Sequence, residues 1–213
     1  MSTIEAQMQA IRVRLPRVAT IIEPGACDGQ STERLSQLFE SGRYYLIEPD
    51  ARNVIRLRRM TKILRKRHPG ITYDVTQGAI GGHTGVTVFH PAAADFYGSG
   101  SIHAPTDKLR RNYPDVAFEA PCEVPCWTLD DFCAMKGITG DVDLIWADVQ
   151  GAEKDLVRHG QRTLARTRLL NLEVSECGGV YRDSWRISEM YAELATWEKV
   201  DQYGPDVLFE NII

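Results

Sequence analysis

The sequence predicts a doubly wound α/β fold: a mostly parallel, seven-stranded sheet closed by a C-terminal antiparallel strand pair. Three observations predict it. First, three apolar runs end in acid and glycine or proline: Ile21-Ile22-Glu23-Pro24-Gly25-Ala26-Cys27-Asp28-Gly29, Tyr45-Leu46-Ile47-Glu48-Pro49-Asp50 and Val142-Asp143-Leu144-Ile145-Trp146-Ala147-Asp148-Val149-Gln150-Gly151. Each reads as a buried parallel strand that delivers polar groups at its carboxyl end, where open α/β sheets bind ligands. Second, strand and helix patterns alternate along most of the chain. Third, residues 199–203 and 207–210 read as a closing hairpin.

The elements follow in order. Residues 4–15 place Ile4, Met8, Ile11 and Leu15 on one helical face and form a cap, 1–18, on the sheet. The first strand, 19–24, turns through glycines into a helix from Ser31 to Phe39, with Ser31 or Thr32 as its N-cap. The second strand is 43–48, and Asp50 caps a basic helix that stops at His68-Pro69-Gly70. Residues 71–80 form the third strand. Gly81-Gly82-His83-Thr84-Gly85 then opens a hairpin excursion, 81–125, that includes a long Gly-, Ser- and Pro-rich loop over 97–113. The fourth strand, 142–147, leads to a helix over 151–165, a fifth strand over 168–174 and a helix over 184–197. No linker interrupts the 213 residues, so one domain is expected.

Composition narrows the class. An apolar content of 43% and a charged content of 25% are those of a globular protein. No apolar run approaches the ~20 residues needed to span a bilayer. Arg12, Arg14, Pro16 and Arg17 break the start of the chain where a signal-peptide core would lie, so a cytoplasmic location is expected. The five cysteines are scattered, and Cys122 and Cys126 lack the paired spacing of a zinc site. The net charge of −4 hides an asymmetry: eight basic residues and no acid lie between Arg52 and Arg67, which leaves −12 for the remainder.

The turn after the first strand narrows the ligand. A dinucleotide fingerprint needs G-x-G-x-x-G so that backbone can approach a pyrophosphate. Here Gly25 and Gly29 are four apart, with Cys27 and Gln30 where glycine belongs, and no G-x-x-x-x-G-K-[ST] is present. What remains is E-x-G-x-x-x-G, followed about twenty residues on by Glu48, an acid that ends the next strand. A carboxylate there accepts from both hydroxyls of a ribose. Glu23 and Asp28 suit a ligand that carries an ammonium and a sulfonium and repel a pyrophosphate. This combination favours S-adenosylmethionine, with S-adenosylhomocysteine as product, over a nicotinamide dinucleotide. Its expected contacts are Glu23, Gly25, Ala26, Asp28 and Gly29 of the first turn, and Glu48, Pro49 and Asp148. Ala79 and Ile80, at the end of the third strand, would lie against the adenine.

Three of these segments resemble one family. Glu23-Pro24-Gly25-Ala26-Cys27-Asp28-Gly29, Ile47-Glu48-Pro49 and above all Asp143-Leu144-Ile145-Trp146-Ala147-Asp148-Val149-Gln150-Gly151-Ala152-Glu153 resemble the FkbM-type methyltransferases. Thr128-Leu129-Asp130 is similar to that family's lead-in, and Leu172-Glu173-Val174 to its next strand. The resemblance covers residues 19–176. It implies a Rossmann-like class I fold, S-adenosylmethionine as cofactor, and O-methylation of a sugar or secondary-metabolite hydroxyl. The family usually shows Lys-Ile-Asp-Val-Glu-Gly, where this chain has Trp146-Ala147-Asp148-Val149-Gln150-Gly151.

Methyl transfer to a hydroxyl needs the nucleophile aligned with the methyl. It also needs a proton removed, for which a positioned base is typically worth ~10²–10⁴ in rate. Asp148, at the end of the fourth strand, is the first candidate for orienting the acceptor or for that base; its plainer role is a helix cap. His103, in the Ser-rich loop, is a second candidate base, against the plainer reading of an exposed loop histidine. Glu173 ends the fifth strand and joins the catalytic candidates. Ser99, Ser101, Gln150 and Glu176 are candidate substrate contacts. Glu173 and Glu176 could join Asp148 around a divalent cation, but two or three acids make a weak site and a metal is not predicted. Glu153 sits in a helical first turn, where the dipole favours a carboxylate anyway.

The basic run, 52–67, carries Val54, Ile55, Leu57, Met60, Ile63 and Leu64 at helical spacing, expected as a buried stripe that leaves the charges on an outer face. Such a face is usually just solvated, or it attracts an anionic partner: a nucleic acid, a lipid-linked glycan or a nucleotide sugar. The acceptor expected is therefore a small molecule or glycan, with anionic character allowed by this face. A nucleic-acid methyltransferase using the basic helix and a catalytically silent nucleoside-binding module are the alternatives.

Overall fold

Each apolar run becomes a strand because its residues fill a pleated surface and helices cover both of its faces. A computed structural model describes residues 3–18, 20–174 and 178–212. In chain order α1 (Thr3–Arg14) precedes β1 (Thr20–Pro24), α2 (Gln30–Leu38), β2 (Ser41–Glu48), α3 (Ala51–Arg67) and β3 (Gly70–Gln77). The excursion holds β4 (Ala79–Ile80), β5 (Gly85–Phe89), a 3-10 segment (Ala94–Ser99), α4 (Asp107–Asn112) and β6 (Cys122–Trp127). Then come α5 (Leu129–Met135), β7 (Val142–Ala147), α6 (Glu153–Arg158), α7 (Gln161–Leu164), β8 (Thr167–Glu173), α8 (Ile187–Glu193), β9 (Trp197–Tyr203) and β10 (Asp206–Asn211).

The main sheet runs β3-β2-β1-β7-β8-β10-β9. The first five strands in that order are parallel, and β10 is antiparallel to both β8 and β9. The chain leaves β1 toward one edge and returns to β7 at its other side, so a crevice opens where the carboxyl ends of β1 and β7 meet. Successive strand residues point to opposite faces. Ile21, Leu46, Leu144 and Leu169 therefore pack with Ile11 of α1 and with Leu57 and Leu64 of α3. Ile22, Ile47, Ile145 and Leu170 pack on the other side with Phe132, Leu156 and Met190. No helix among the described residues is long and apolar enough to cross a membrane.

Several local expectations change. The third strand stops at Gln77, because Gly78 turns the chain with φ +149° and a Cβ there would lie 2.4 Å from the Trp127 ring. Ala79 and Ile80 pair instead with β6, in a second sheet of order β4-β6-β5. The partner of β5 is likewise β6, far along the chain, rather than a neighbouring hairpin strand. The 97–113 loop contains the end of the 3-10 segment and all of α4. The helix expected over 151–165 is broken into α6 and α7 around His159 and Gly160, and that expected over 184–197 spans only Ile187–Glu193. Asp50 does cap α3, accepting from the Arg52 amide at 2.8 Å. Ser31 and Thr32 do not cap α2, which follows Gly29 directly; the Thr32 hydroxyl points back to Glu23.

Gly25 is where β1 rides over the end of β7. Its φ is +79°, and a Cβ would lie 1.7 Å from the Asp148 carbonyl oxygen. Replacement by alanine is expected to cost about 2–4 kcal/mol, since strained backbone and a backbone clash act together. Urea denaturation of Gly25→Ala checks this, and an unchanged midpoint would show that the turn relaxes freely.

Candidate active site

The crevice is built on backbone. The Gly25 and Ala26 amides both donate to the Ile47 carbonyl, at 2.9 and 3.0 Å, and the Asp148 amide donates to the Pro24 carbonyl at 3.1 Å. Beneath this junction lies a cleft of about 590 Å³ lined by Gly25, Cys27, Glu48, Pro49, Asp148 and Gln150, among others. Ile47, Ala79, Ile80, Phe89 and Ile102 give it an apolar end. Tyr97, Gly98 and Gly100 belong to the excursion segment that walls it. Tyr97 is anchored there: its hydroxyl donates to Asp28 at 3.0 Å, its carbonyl accepts from Asn53 at 2.9 Å, and Arg56 stacks 4.3 Å from its ring centre.

Glu48 is pinned at the mouth of β2. Its Oε2 accepts from the Cys27 amide at 2.9 Å, and its Oε1 from the Asp50 amide at 2.8 Å and more weakly from Asn53. Cys27 makes that contact from a left-handed backbone, φ 50°. Burial pushes Glu48 up to about 7 against the pull of these donors. A carboxylate has about four lone-pair sites, so this one keeps acceptor capacity for ligand hydroxyls. Glu23 lies deeper, accepting from the Thr32 hydroxyl at 2.7 Å, and burial pushes it up to about 8.

A wider basin of about 1580 Å³ adjoins the cleft, and Gln150 lines both. Tyr113, Tyr181 and Trp185 supply aromatic surface; Glu153, Glu173, Asn112 and Ser184 supply polar groups. Gln150 Nε2 donates to Asp148 Oδ1 at 2.6 Å and reaches Glu173 Oε2 at 3.4 Å. Its Oε1 lies 3.2 Å from the Tyr181 hydroxyl, whose single proton it shares with the nearer Ser99 carbonyl at 2.7 Å. Gln150 holds this position from a left-handed φ of 51°. Burial raises Asp148, and burial together with the Asp148 charge raises Glu173. Glu153 accepts from the Val149 and Gly151 amides, and burial pushes it up to about 8. Among the described residues no lysine, arginine or histidine lines either cavity.

The structure thus gathers Gly25, Glu48, Pro49, Ala79, Ile80, Ser101, Asp148 and Gln150 at the cleft, and Ser99, Gln150 and Glu173 at the basin. Ser101 spends its hydroxyl internally, donating to the Gln150 carbonyl at 2.7 Å and accepting from the His103 amide at 2.9 Å. Glu23, Ala26, Asp28 and Gly29 support the turn from behind and line neither cavity. His103 also lines neither; its Nε2 pairs with Asp155 at 3.0 Å. Asp148 does not cap α6, whose N-cap is Ala152. Glu176 lies outside the described residues. Among the described residues no group of three or more His, Cys, Asp or Glu is placed to hold a metal ion. Sequence reasoning missed Cys27, Asn53, Tyr97 and Tyr181 as parts of the site; an aromatic inside the Gly- and Ser-rich loop was the available signal for Tyr97.

A sheet of this order, with an acid ending β2 and a ligand cleft over β1 and β7, defines a class I, Rossmann-like methyltransferase. A family model described as methyltransferase FkbM domain matches residues 23–202. The 2-O-methyltransferase NoeI of Sinorhizobium fredii (strain NBRC 101917 / NGR234) is 31% identical over 220 residues, covering 99% of this chain and 86% of that protein. Among solved structures, methyltransferase FkbM from Methylobacillus flagellatus KT superposes with a TM-score of 0.54 at 15% identity, covering 91% of this chain; the chain spans 43% of that one. An rRNA methylase from Streptococcus thermophilus gives 0.51 at 7% identity, over 100% of this chain and 98% of that one. Magnesium protoporphyrin IX methyltransferase from Synechocystis PCC 6803, solved with bound S-adenosylmethionine, gives 0.50 at 8%, over 98% and 78%. At these identities the solved structures share the fold. The chain belongs to the FkbM methyltransferase family and is an S-adenosylmethionine-dependent methyltransferase.

The buried acids leave a mark on stability. Glu23, Glu48 and Glu153 keep their protons in the folded chain up to about 8, about 7 and about 8, whereas unfolded glutamate releases its proton near 4.5. The stability tied to these protons is full below the unfolded value and is lost as pH rises through the folded values. The ligand-free protein should therefore resist urea better at about pH 5.5 than at about pH 8.5, with Glu23→Gln flattening the dependence. Equal midpoints at the two pH values would contradict it.

Proposed function

We propose that the chain transfers a methyl group to a hydroxyl of an uncharged sugar, glycan or secondary-metabolite acceptor seated in the wider basin. The observation that carries this reading is the meeting of two cavities at Asp148, Gln150 and Glu173, with carboxyl groups at the junction and, among the described residues, no cationic side chain in either lining. Carboxyl groups without a cationic partner suit the ammonium and sulfonium of S-adenosylmethionine, whose charge favours their ionised form. When bound, that cofactor supplies an electrophilic methyl. Glu48 would accept from its ribose hydroxyls, Ala79, Ile80 and Phe89 would flank the adenine, and Asp148 would face the charged end. The relative's name, a 2-O-methyltransferase, supports oxygen as the acceptor atom.

Tyr113 and Tyr181 offer faces for a sugar ring, while Asn112, Ser184 and Glu173 offer its hydroxyls partners. An anionic acceptor, allowed by the basic helix, finds no complementary charge here. The Asp148–Glu173 pair orients the acceptor hydroxyl and takes its proton. His103, tied to Asp155, instead fastens the excursion to α6.

The nucleic-acid alternative loses part of its footprint. Arg52 binds Asp50 and Glu119, Arg56 stacks on Tyr97, Arg65 donates to the Tyr73 carbonyl, and Arg67 pairs with Glu33. Half of the basic run thereby serves the fold.

Labelled methyl transfer into fractionated oligosaccharides and hydroxylated metabolites tests the assignment. Asp148→Ala is expected to lower the rate by ~10²–10⁴. Label appearing in nucleic acid would replace the acceptor class, and cofactor binding without transfer to any fraction would favour a silent module.

A further inference from the structure

The wall between the two cavities concentrates acidic groups. Asp148 and Glu173 are half-buried, one facing the cleft and the other the basin. Around them stand Glu23 from β1, Glu153 from α6, Asp206 from β10, Tyr181 from the segment before α8, and Cys27 from the first turn. Every one of these groups is an acid, and none brings a compensating positive charge. Asp206 is drawn toward Asn171 at 2.8 Å and Glu153 toward backbone amides, which leaves Asp148 and Glu173 as the pair that meets both cavities.

Gln150 joins that pair in one orientation. The Tyr181 hydroxyl shares its proton between the Gln150 Oε1 and the Ser99 carbonyl, and the Ser101 hydroxyl donates to the Gln150 backbone carbonyl, so the Gln150 Nε2 is aimed at the acids. The amide satisfies one oxygen of each, Asp148 Oδ1 and Glu173 Oε2. A glutamate in its place would add a third carboxylate and donate nothing.

We propose that the Asp148–Gln150–Glu173 bridge is a proton store controlled by the charge of the bound cofactor. It releases a proton when the positively charged methyl donor binds, and it recovers one from the acceptor as transfer removes that charge. The inference rests on the placement of S-adenosylmethionine in the cleft and does not depend on which hydroxyl is methylated.

The step balances. The acceptor O–H bond breaks and its oxygen bonds the methyl carbon; the electron pair of the broken carbon–sulfur bond stays on sulfur. The proton passes to the Glu173 carboxylate. S-adenosylhomocysteine carries one positive charge fewer than its parent, so the pair then holds the proton more firmly than it does with the donor bound. The proton leaves to solvent when the next charged donor binds. A nearby cation favours the ionised carboxylate, and its loss favours the protonated one.

The test needs no acceptor. Calorimetric titration of the full chain, in buffers of different ionisation enthalpy, counts protons exchanged on binding either ligand. S-adenosylmethionine is expected to release on the order of one proton more than S-adenosylhomocysteine at about pH 7.5. The affinity ratio of the two should shift toward S-adenosylmethionine by up to ~10-fold per pH unit as pH rises. Glu173→Gln, nearly isosteric with the protonated acid, should bind both ligands with the difference abolished; Asp148→Asn should reduce it. Equal proton counts in the wild-type chain, or a difference that survives Glu173→Gln, would overturn the proposal alone. Failure of both ligands to bind would overturn it together with the cofactor assignment.

Discussion

The structure depends on one close approach, that of the β1 turn to the end of β7. The Asp148 amide reaches the Pro24 carbonyl, and Gly25 lies so near the Asp148 carbonyl that no side chain fits. Everything functional is measured from this contact. It sets the floor of the cleft and brings Cys27 to Glu48. It also turns the chain after β7 so that Gln150 faces two cavities at once. A looser contact would leave the same residues present and the same fold recognisable, with the acids too far from one another to act on one ligand.

The fold bears a cost for this arrangement. Buried carboxyls without cations are unfavourable in their charged form, so the ligand-free chain keeps several of them protonated. Glu23, Glu48 and Glu153 lower that cost through hydrogen bonds to a hydroxyl or to backbone amides. Asp148 and Glu173 instead share the amide of Gln150. On the proposed placement of S-adenosylmethionine, its positive charge supplies what the polypeptide withholds.

The sheet was legible because its strands carry their own evidence. Ile21–Glu23, Leu46–Glu48 and Leu144–Asp148 alternate faces and end in polar groups, and no other element competes for those patterns. The positions of Glu48, Gly25 and Asp148 along the cleft were readable for the same reason, since each marks a strand end. His103 lines neither cavity, and its partner Asp155, fifty-two positions away, could not be read from residue type. Gly78 hid the break between β3 and β4, because the clash that requires the turn is with Trp127 in a distant strand. Tyr181 and Tyr97 had no motif to announce them. Their roles come from hydrogen bonds to Ser99, Gln150 and Asp28, contacts that exist only once the excursion has folded over the sheet.

The basin also has a seam. Thr106, at the cap of α4, donates through its amide to the Val180 carbonyl and through its hydroxyl to the Gly179 carbonyl, and Lys108 reaches the Gly178 carbonyl. The Arg182 amide returns a bond to the Ala104 carbonyl. Two segments more than seventy residues apart are thus stitched into a single wall. On the proposed reading of the basin as the acceptor site, this wall is inherited as a unit: a graft of either segment alone would tear the stitching, whereas the two moved together would keep it.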